Sequence, residues 1–168
     1  MKTAMKLNLT PAVADADTSA RVRVLAIASC GGHWKQLLRL SPAFAGCDVV
    51  YASVGADRAG DVRGHRFLQI PDASRSSLRS VLTSGLTVLR VVLAERPDVI
   101  VSTGACPGLL GVAAGKLLGA RTVFIDSVAN ASRLSLSGRL ARWCADLWLT
   151  QWSHLASPRG PAYIGSVL

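Results

Sequence analysis

Val22-Arg23-Val24-Leu25-Ala26-Ile27-Ala28-Ser29 is a short and almost unbroken apolar run. Such a run reads as a strand covered on both faces, as in a parallel sheet. The same signature returns at Asp48 to Ser53, Phe67 to Ile70, Val99 to Ser102, Arg121 to Asp126 and Asp146 to Thr150. Between these runs the pattern turns helical. Cys30-Gly31-Gly32 makes a turn, and His33 to Leu40 predicts a helix behind it. An apolar helix follows Thr103-Gly104-Ala105-Cys106-Pro107-Gly108 and runs to Leu118, with Gly119 placed as a C′ residue. A further helix is expected near Leu140. Strand, glycine turn, helix and strand in repetition predict an α/β fold, a Rossmann-like doubly wound domain with a mostly parallel sheet. Met1 to Ala20 has no periodicity and reads as a flexible leader, which leaves residues 21–168 as a single domain.

One segment departs from this rhythm. From Ser77 to Ala94, Leu78, Leu82, Leu86, Leu89 and Leu93 recur at helical spacing, and Val81, Val88, Val91 and Val92 widen the apolar surface. Arg75, Arg79, Arg90 and Arg96 flank or punctuate the run. It is shorter than the roughly 20 apolar residues that cross a bilayer. Two readings fit: a monotopic helix lying in the membrane interface with arginines at the lipid phosphates, or a helix buried against the sheet. Gly85 costs about 1 kcal/mol of helix propensity, so packing or insertion must hold the helix together.

Composition narrows the class. The 168 residues are 50% hydrophobic and only 17% charged, which excludes a disordered chain. The net charge of +9 favours anionic partners: nucleic acid, membrane or phosphorylated ligands. The basic side is mostly arginine, which suits bidentate phosphate contact, although a GC-rich genome would give the same bias. Aromatic residues make up 5%, and the arginines form no dense run, so a nucleic-acid partner is not expected. Cys30, Cys47, Cys106 and Cys144 have no metal-type or C-x-x-C spacing, and no metal site is expected. Free, mostly buried thiols in a reducing compartment are the expectation, with no signal peptide in the first residues.

Ligands of such sheets bind beyond the carboxyl ends of the strands. Three stretches with chemical content fall there: Ser29-Cys30-Gly31-Gly32-His33, Thr103 to Gly108, and Asp126-Ser127-Val128-Ala129-Asn130. Gly31 and Gly32 let the backbone approach a ligand, and a helix starting near His33 would add its positive end. His33 is a candidate proton acceptor, or an exposed residue of a plain turn. Thr103, Gly104 and Gly108 belong to a loop that either approaches a ligand or only connects strand to helix. Neither loop is a G-x-G-x-x-G or a P-loop. Asp126 is a base, a sugar-holding carboxylate or a turn residue. His65 and His154 read as solvated.

Taken together, several ordered motifs resemble a known family. They are Ser29-Cys30-Gly31-Gly32-His33 with Gln36-Leu37-Leu38; Pro97-Asp98-Val99-Ile100-Val101-Ser102-Thr103-Gly104; Phe124-Ile125-Asp126-Ser127; Leu136-Ser137-Gly138-Arg139-Leu140; Thr150-Gln151-Trp152; and Tyr163-Ile164-Gly165-Ser166. They resemble the PssD/CpsF type of bacterial polysaccharide-biosynthesis protein, which is similar to the eukaryotic asparagine-linked glycosylation protein fourteen. The resemblance runs from about Val22 to the chain end. Two departures stand out: many relatives begin with a transmembrane helix, which Met1 to Ala20 does not resemble, and relatives often have Glu where Asp126 stands.

The resemblance implies the N-terminal, acceptor-side half of a split GT-B glycosyltransferase acting in capsule or exopolysaccharide biosynthesis. A separate catalytic C-terminal-half subunit of the PssE/CpsG type would hold most of the UDP-sugar, so no cofactor is expected in this chain. The acceptor would be a polyprenyl-diphosphate-linked sugar at the anionic cytoplasmic face of the inner membrane. His33 would be the general base, with Gly31, Gly32, Thr103, Gly104, Gly108, Asp126, Ser127 and Asn130 as substrate-binding residues. Arg75, Arg79, Leu82, Leu86, Leu89 and Arg90 would meet the membrane. The partner would dock near the chain end, where Trp143, Trp148 and Trp152 lie, with Trp148 packed inside. The donor sugar and linkage are not fixed by these residues. A non-catalytic scaffold and a self-contained phosphate-ester enzyme are the alternatives.

Overall fold

Six strands form one sheet in the order β3-β2-β1-β4-β5-β6, and every neighbouring pair is parallel. The strands are β1 (Arg23–Ile27), β2 (Asp48–Ser53), β3 (Arg66–Gln69), β4 (Val99–Ser102), β5 (Arg121–Ile125) and β6 (Leu147–Leu149). The computed structural model describes residues 21–73 and 77–167. The expected leader and Arg75 lie outside the described residues.

The helices are α1 (Gly32–Arg39), α2 (Leu78–Glu95), α3 (Ala105–Leu117) and α4 (Leu136–Ala141). Right-handed crossovers place α1 on one face and α2, α3 and α4 side by side on the other. Under α1 the core gathers Val24, Ala26, Trp34, Leu37, Val49 and Tyr51. Trp34 is 1% exposed, donates from Nε1 to Asp61 Oδ2 at 2.8 Å, and meets Tyr51 and Phe67 edge-on. The opposite core holds Leu25, Ile27, Val88, Ile100, Val112 and Phe124.

α3 lies unusually close to the sheet because its inner face is glycine. A Cβ on Gly108 would sit 2.0 Å from Ser102 Oγ, one on Gly115 2.4 Å from Ile100 Cδ1, and one on Gly111 3.0 Å from two carbons of Ile27. Gly108 therefore serves helix–sheet packing.

α2 packs against the sheet along one side, through Val88 and Val92, and stays open along the other. Ser77 caps it, its Oγ accepting from Ser80 N at 3.3 Å. Its buried residues are Ser84, Val88 and Val92, and Ser84 Oγ donates to Pro71 O. Gly85 admits Leu110 of α3. The leucines point outward: Leu78, Leu82, Leu86 and Leu93 are 50–75% exposed and Leu89 36%. Arg79 and Arg90 are exposed beside this stripe. No described helix is long and apolar enough to cross a membrane.

The thiols also differ from expectation. None of the four is in a disulfide, but Cys30 is exposed and Cys47, Cys106 and Cys144 are half-buried. Burial pushes the Cys144 thiol upward. Trp148 does pack against the core, as expected, whereas Trp143 is 73% exposed with the Arg142 guanidinium 4.3 Å above its ring.

Two ion pairs tie strand starts together. Asp98 accepts from the Arg23 guanidinium and backbone, and Asp146 from Lys116 and from the Thr122 backbone and hydroxyl. The hydrogen bond from Arg23 holds the Asp98 carboxyl below the usual carboxylate range, and that from Lys116 does the same for Asp146. A depressed folded-state value stabilises the fold above the unfolded value of about 3.9, and that stabilisation is lost as pH falls towards the folded value. Thermal melts should therefore be level from neutral pH to about pH 5 and drop below about pH 4. Asp98→Asn with Asp146→Asn should flatten that drop; an unchanged acid limb would assign it to other groups.

Candidate functional site

The strand order reverses between β1 and β4: the chain leaves β1 for one face of the sheet and β4 for the other. Crevices in doubly wound sheets open at such a point, beyond the carboxyl ends of the strands. The loops after β1, β4 and β5 meet there, so the three stretches singled out in the sequence are brought together.

His33 stands in the first turn of α1, half-buried. Its Nδ1 lies 2.9 Å from Thr103 O, and Thr103 Oγ1 donates to His33 O at 2.7 Å. A carbonyl only accepts, so Nδ1 carries a proton, and in the neutral ring the lone pair lies at Nε2. This reciprocal pair joins the first two loops and fixes both the tautomer and the ring plane. Thr103 is fully buried and acts through His33.

Gly104 is required twice over. Its φ of 122° and ψ of −168° lie where only glycine rests easily. A Cβ there would stand 2.8 Å from both Cε1 and Nδ1 of His33. Ala105, at φ 63°, extends the strained segment into the first turn of α3. Gly31 also has positive φ, 66°, but a Cβ on it would meet nothing within 4 Å. Gly31 and Gly32 are both exposed and leave the backbone open to a ligand. Gly104→Ala is therefore expected to cost about 1–3 kcal/mol of stability and to push the imidazole off Thr103. Gly31→Ala should cost about 1 kcal/mol and leave the ring in place. Thermal unfolding, with the His33 ring signals followed by NMR, separates the two. An unmoved His33 ring in Gly104→Ala would refute the contact.

The third loop is organised by Asp126, which is 2% exposed. Its carboxylate accepts from Asn130 Nδ2 at 3.1 Å, Ser135 N at 2.9 Å and Ser135 Oγ at 2.7 Å. A Cβ on Gly138 would come within 2.7 Å of it, so α4 closes directly over the carboxylate. Ser127 Oγ is likewise engaged inside the protein, accepting from Gln36 Nε2 and Ala129 N. The arrangement makes Asp126 and Ser127 shapers of the loop, while Asn130 lines the crevice.

Reasoning from sequence alone missed the residues that lock these loops together. Gln36, 5% exposed, donates to Gly32 O and Ser127 Oγ and accepts from Val128 N and Gln151 Nε2. Gln151 also donates to Asp126 O, and its Oε1 accepts from Val167 N. Trp152 Nε1 donates to Val128 O, and His154, although exposed, donates from Nε2 to Ala131 O at 2.6 Å. Gln36 and Gln151 were noticed only as parts of family motifs.

A cavity of about 400 Å³ opens above these loops, lined by His33, Ala105, Asn130, Arg133, Leu134, Ser135, Leu136 and Arg139. Arg133 and Arg139 are additions the sequence did not suggest. A larger concavity of about 740 Å³ lies at the opposite, amino-terminal ends of the central strands, among Leu93, Arg96 and Arg121. The carboxyl ends of α2 and α3 converge there, and their partial negative charge disfavours an anion. The site with chemistry is the smaller one. Among the described residues no cluster of His, Cys, Asp or Glu could hold a metal ion.

Comparison with known proteins bears on the fold and the family. The chain is similar to a crystal structure of MurG from Acinetobacter baumannii, with a TM-score of 0.63 and 16% identity over 86% of this chain and 44% of that one. It is also similar to UDP-N-acetylglucosamine 2-epimerase from Rickettsia bellii, with a TM-score of 0.60 and 16% identity over 80% of this chain and 40% of that one. The chain thus spans less than half the length of these solved structures and has the Rossmann-like fold of one half of a GT-B protein. The mouse UDP-N-acetylglucosamine transferase subunit ALG14 is 25% identical over 88% of this chain and 83% of its own length. Residues 56–167, which carry β3 to β6, the Thr103 loop and the Asp126 loop, match the model described as oligosaccharide biosynthesis protein Alg14 like, and the chain belongs to that family.

Proposed function

We propose that this chain is the N-terminal, acceptor-side subunit of a two-chain UDP-sugar glycosyltransferase that extends a polyprenyl-diphosphate-linked oligosaccharide in capsule or exopolysaccharide synthesis. The observation that carries the reading is the His33–Thr103 pair: one imidazole nitrogen is held by a carbonyl, the other is left as acceptor at the edge of a half-GT-B crevice. The chain has one wall of that crevice. A catalytic partner of the PssE/CpsG type supplies the other wall and the UDP-sugar. The acceptor hydroxyl attacks the anomeric carbon, the bond to UDP breaks, and the hydroxyl proton passes to His33 Nε2. The mouse relative's name makes UDP-N-acetylglucosamine the first donor to try.

The leucine stripe of α2 supports peripheral attachment to the cytoplasmic face of the inner membrane. A row of five exposed leucines flanked by arginines suits insertion to the headgroup boundary. On that surface the crevice would be held beside the lipid-linked acceptor.

The test is a transfer assay on membranes with labelled UDP-sugars and a polyprenyl-diphosphate acceptor. This chain, the neighbouring gene's product and their mixture are compared. Activity that requires the mixture supports the proposal. Turnover by this chain alone would overturn it in favour of a self-contained enzyme. Partner activity unchanged by this chain would reduce it to a scaffold.

A further inference from the structure

Four basic groups away from the crevice have carboxylate partners among the described residues: Arg23 with Asp98, Arg58 with Asp57, Arg66 with Glu95 and Lys116 with Asp146. Arg133 and Arg139 differ. Both are exposed, both line the 400 Å³ cavity beside His33, and neither guanidinium makes an ion pair or hydrogen bond within the described residues. No carboxylate lines the cavity. The nearby Asp126 lies beneath it, 2% exposed, with its oxygens already bonded to Asn130 and Ser135. Two free guanidinium forks facing one concavity match an anion with two phosphate groups, since each fork can take one phosphate bidentately.

The rest of the lining is mixed: His33, Asn130 and Ser135 are polar, and Ala105, Leu134 and Leu136 are apolar. Leu134 and Leu136 stand between the arginines, and Leu136 is 46% exposed. Leu140, one turn further along α4, is 45% exposed on the same side. No phenylalanine, tyrosine or tryptophan ring lines the cavity to receive a nucleobase. Guanidinium groups beside exposed leucines suit an amphiphile.

We infer that Arg133 and Arg139 clamp the diphosphate of a prenyl-linked substrate, and that Leu134 and Leu136 seat its first isoprene units. This rests on the acceptor-side reading above and names the residues that would bind the lipid end of that acceptor. It places the reacting sugar, on the far side of the diphosphate, towards His33.

Farnesyl diphosphate, a soluble probe that needs neither membrane nor partner, tests the inference by calorimetric titration of the full chain. Farnesyl monophosphate, inorganic pyrophosphate and UDP are the comparison ligands. Farnesyl diphosphate is expected to bind at least about 10-fold more tightly than the monophosphate, which satisfies one fork only. Arg133→Gln with Arg139→Gln should weaken it by about 100-fold. Leu136→Asn should weaken farnesyl diphosphate while leaving pyrophosphate unchanged. Arg121→Gln, at the opposite ends of the strands, should change nothing. Thermal melts confirm that each variant folds. Equal binding of mono- and diphosphate, or unchanged affinity in the double arginine variant, would overturn the inference. So would UDP binding more tightly than farnesyl diphosphate and being lost with the arginines, because the clamp would then belong to the donor. Because no transfer is measured, a failed transferase assay leaves this result standing on its own.

Discussion

His33→Ala should slow sugar transfer by the reconstituted two-chain enzyme by about 10²- to 10⁴-fold, the range a positioned general base contributes. Stability should fall by only about 1 kcal/mol, the worth of the hydrogen bond to Thr103 O. His33→Asn distinguishes catalysis from support. An asparagine amide can still donate to Thr103 O, but it offers no basic nitrogen in place of Nε2. If Nε2 takes the proton, Asn is as slow as Ala. If Asn restores the rate, the imidazole only braces the two loops. Partner binding, followed by co-purification, should persist in both variants.

The second large effect is expected at the leucine stripe. Leu82→Asp together with Leu86→Asp should cut binding to anionic vesicles by roughly 100-fold. Full burial of a leucine is worth about 1.5–3 kcal/mol, and these two are a little over half exposed, so each has about 1 kcal/mol to gain from lipid. The introduced carboxylates add repulsion from anionic headgroups. Arg79→Gln with Arg90→Gln should weaken binding to anionic vesicles, in a salt-dependent way, and leave neutral vesicles unaffected. The buried side of α2, Ser84, Val88 and Val92, is untouched by these changes, so thermal stability should hold. Undiminished vesicle binding by the leucine variant would move the membrane contact elsewhere and free α2 for a protein partner.

The strands were legible because burial on both faces leaves an apolar run in the sequence. Asp48–Ser53 and Val99–Ser102 stand where the pattern placed them, and Phe67 to Ile70 differs from β3 by one residue at each end. Ser77 was legible as the start of α2, but its surroundings were not. A nearly all-apolar helix has the same sequence whether its leucines meet the sheet, a lipid or water, and only the placement of α3 beside it settles which side stays open. At the site, glycines and His33 could be read from one loop at a time. The bonds that hold the loops could not: Gln36 and Gln151 are 115 residues apart, and their partners are mostly backbone atoms, which carry no sequence signature. Arg133 and Arg139 looked like any surface arginine until the loop after β5 folded around Asp126.

The glycine face of α3 has a mechanical consequence. The loop that presents Thr103 and Gly104 is anchored on one side to β4 and on the other to a helix seated on the sheet with no room for a methyl group at Gly108 or Gly115. Such a joint transmits displacement and absorbs almost none. If the crevice narrows around its substrates, His33 and its carbonyl anchor must travel as part of the whole subunit. In the two-chain enzyme proposed above, the bending would then be confined to the junction between the chains, so that strengthening or loosening subunit association would tune turnover without altering a single atom of the reacting centre.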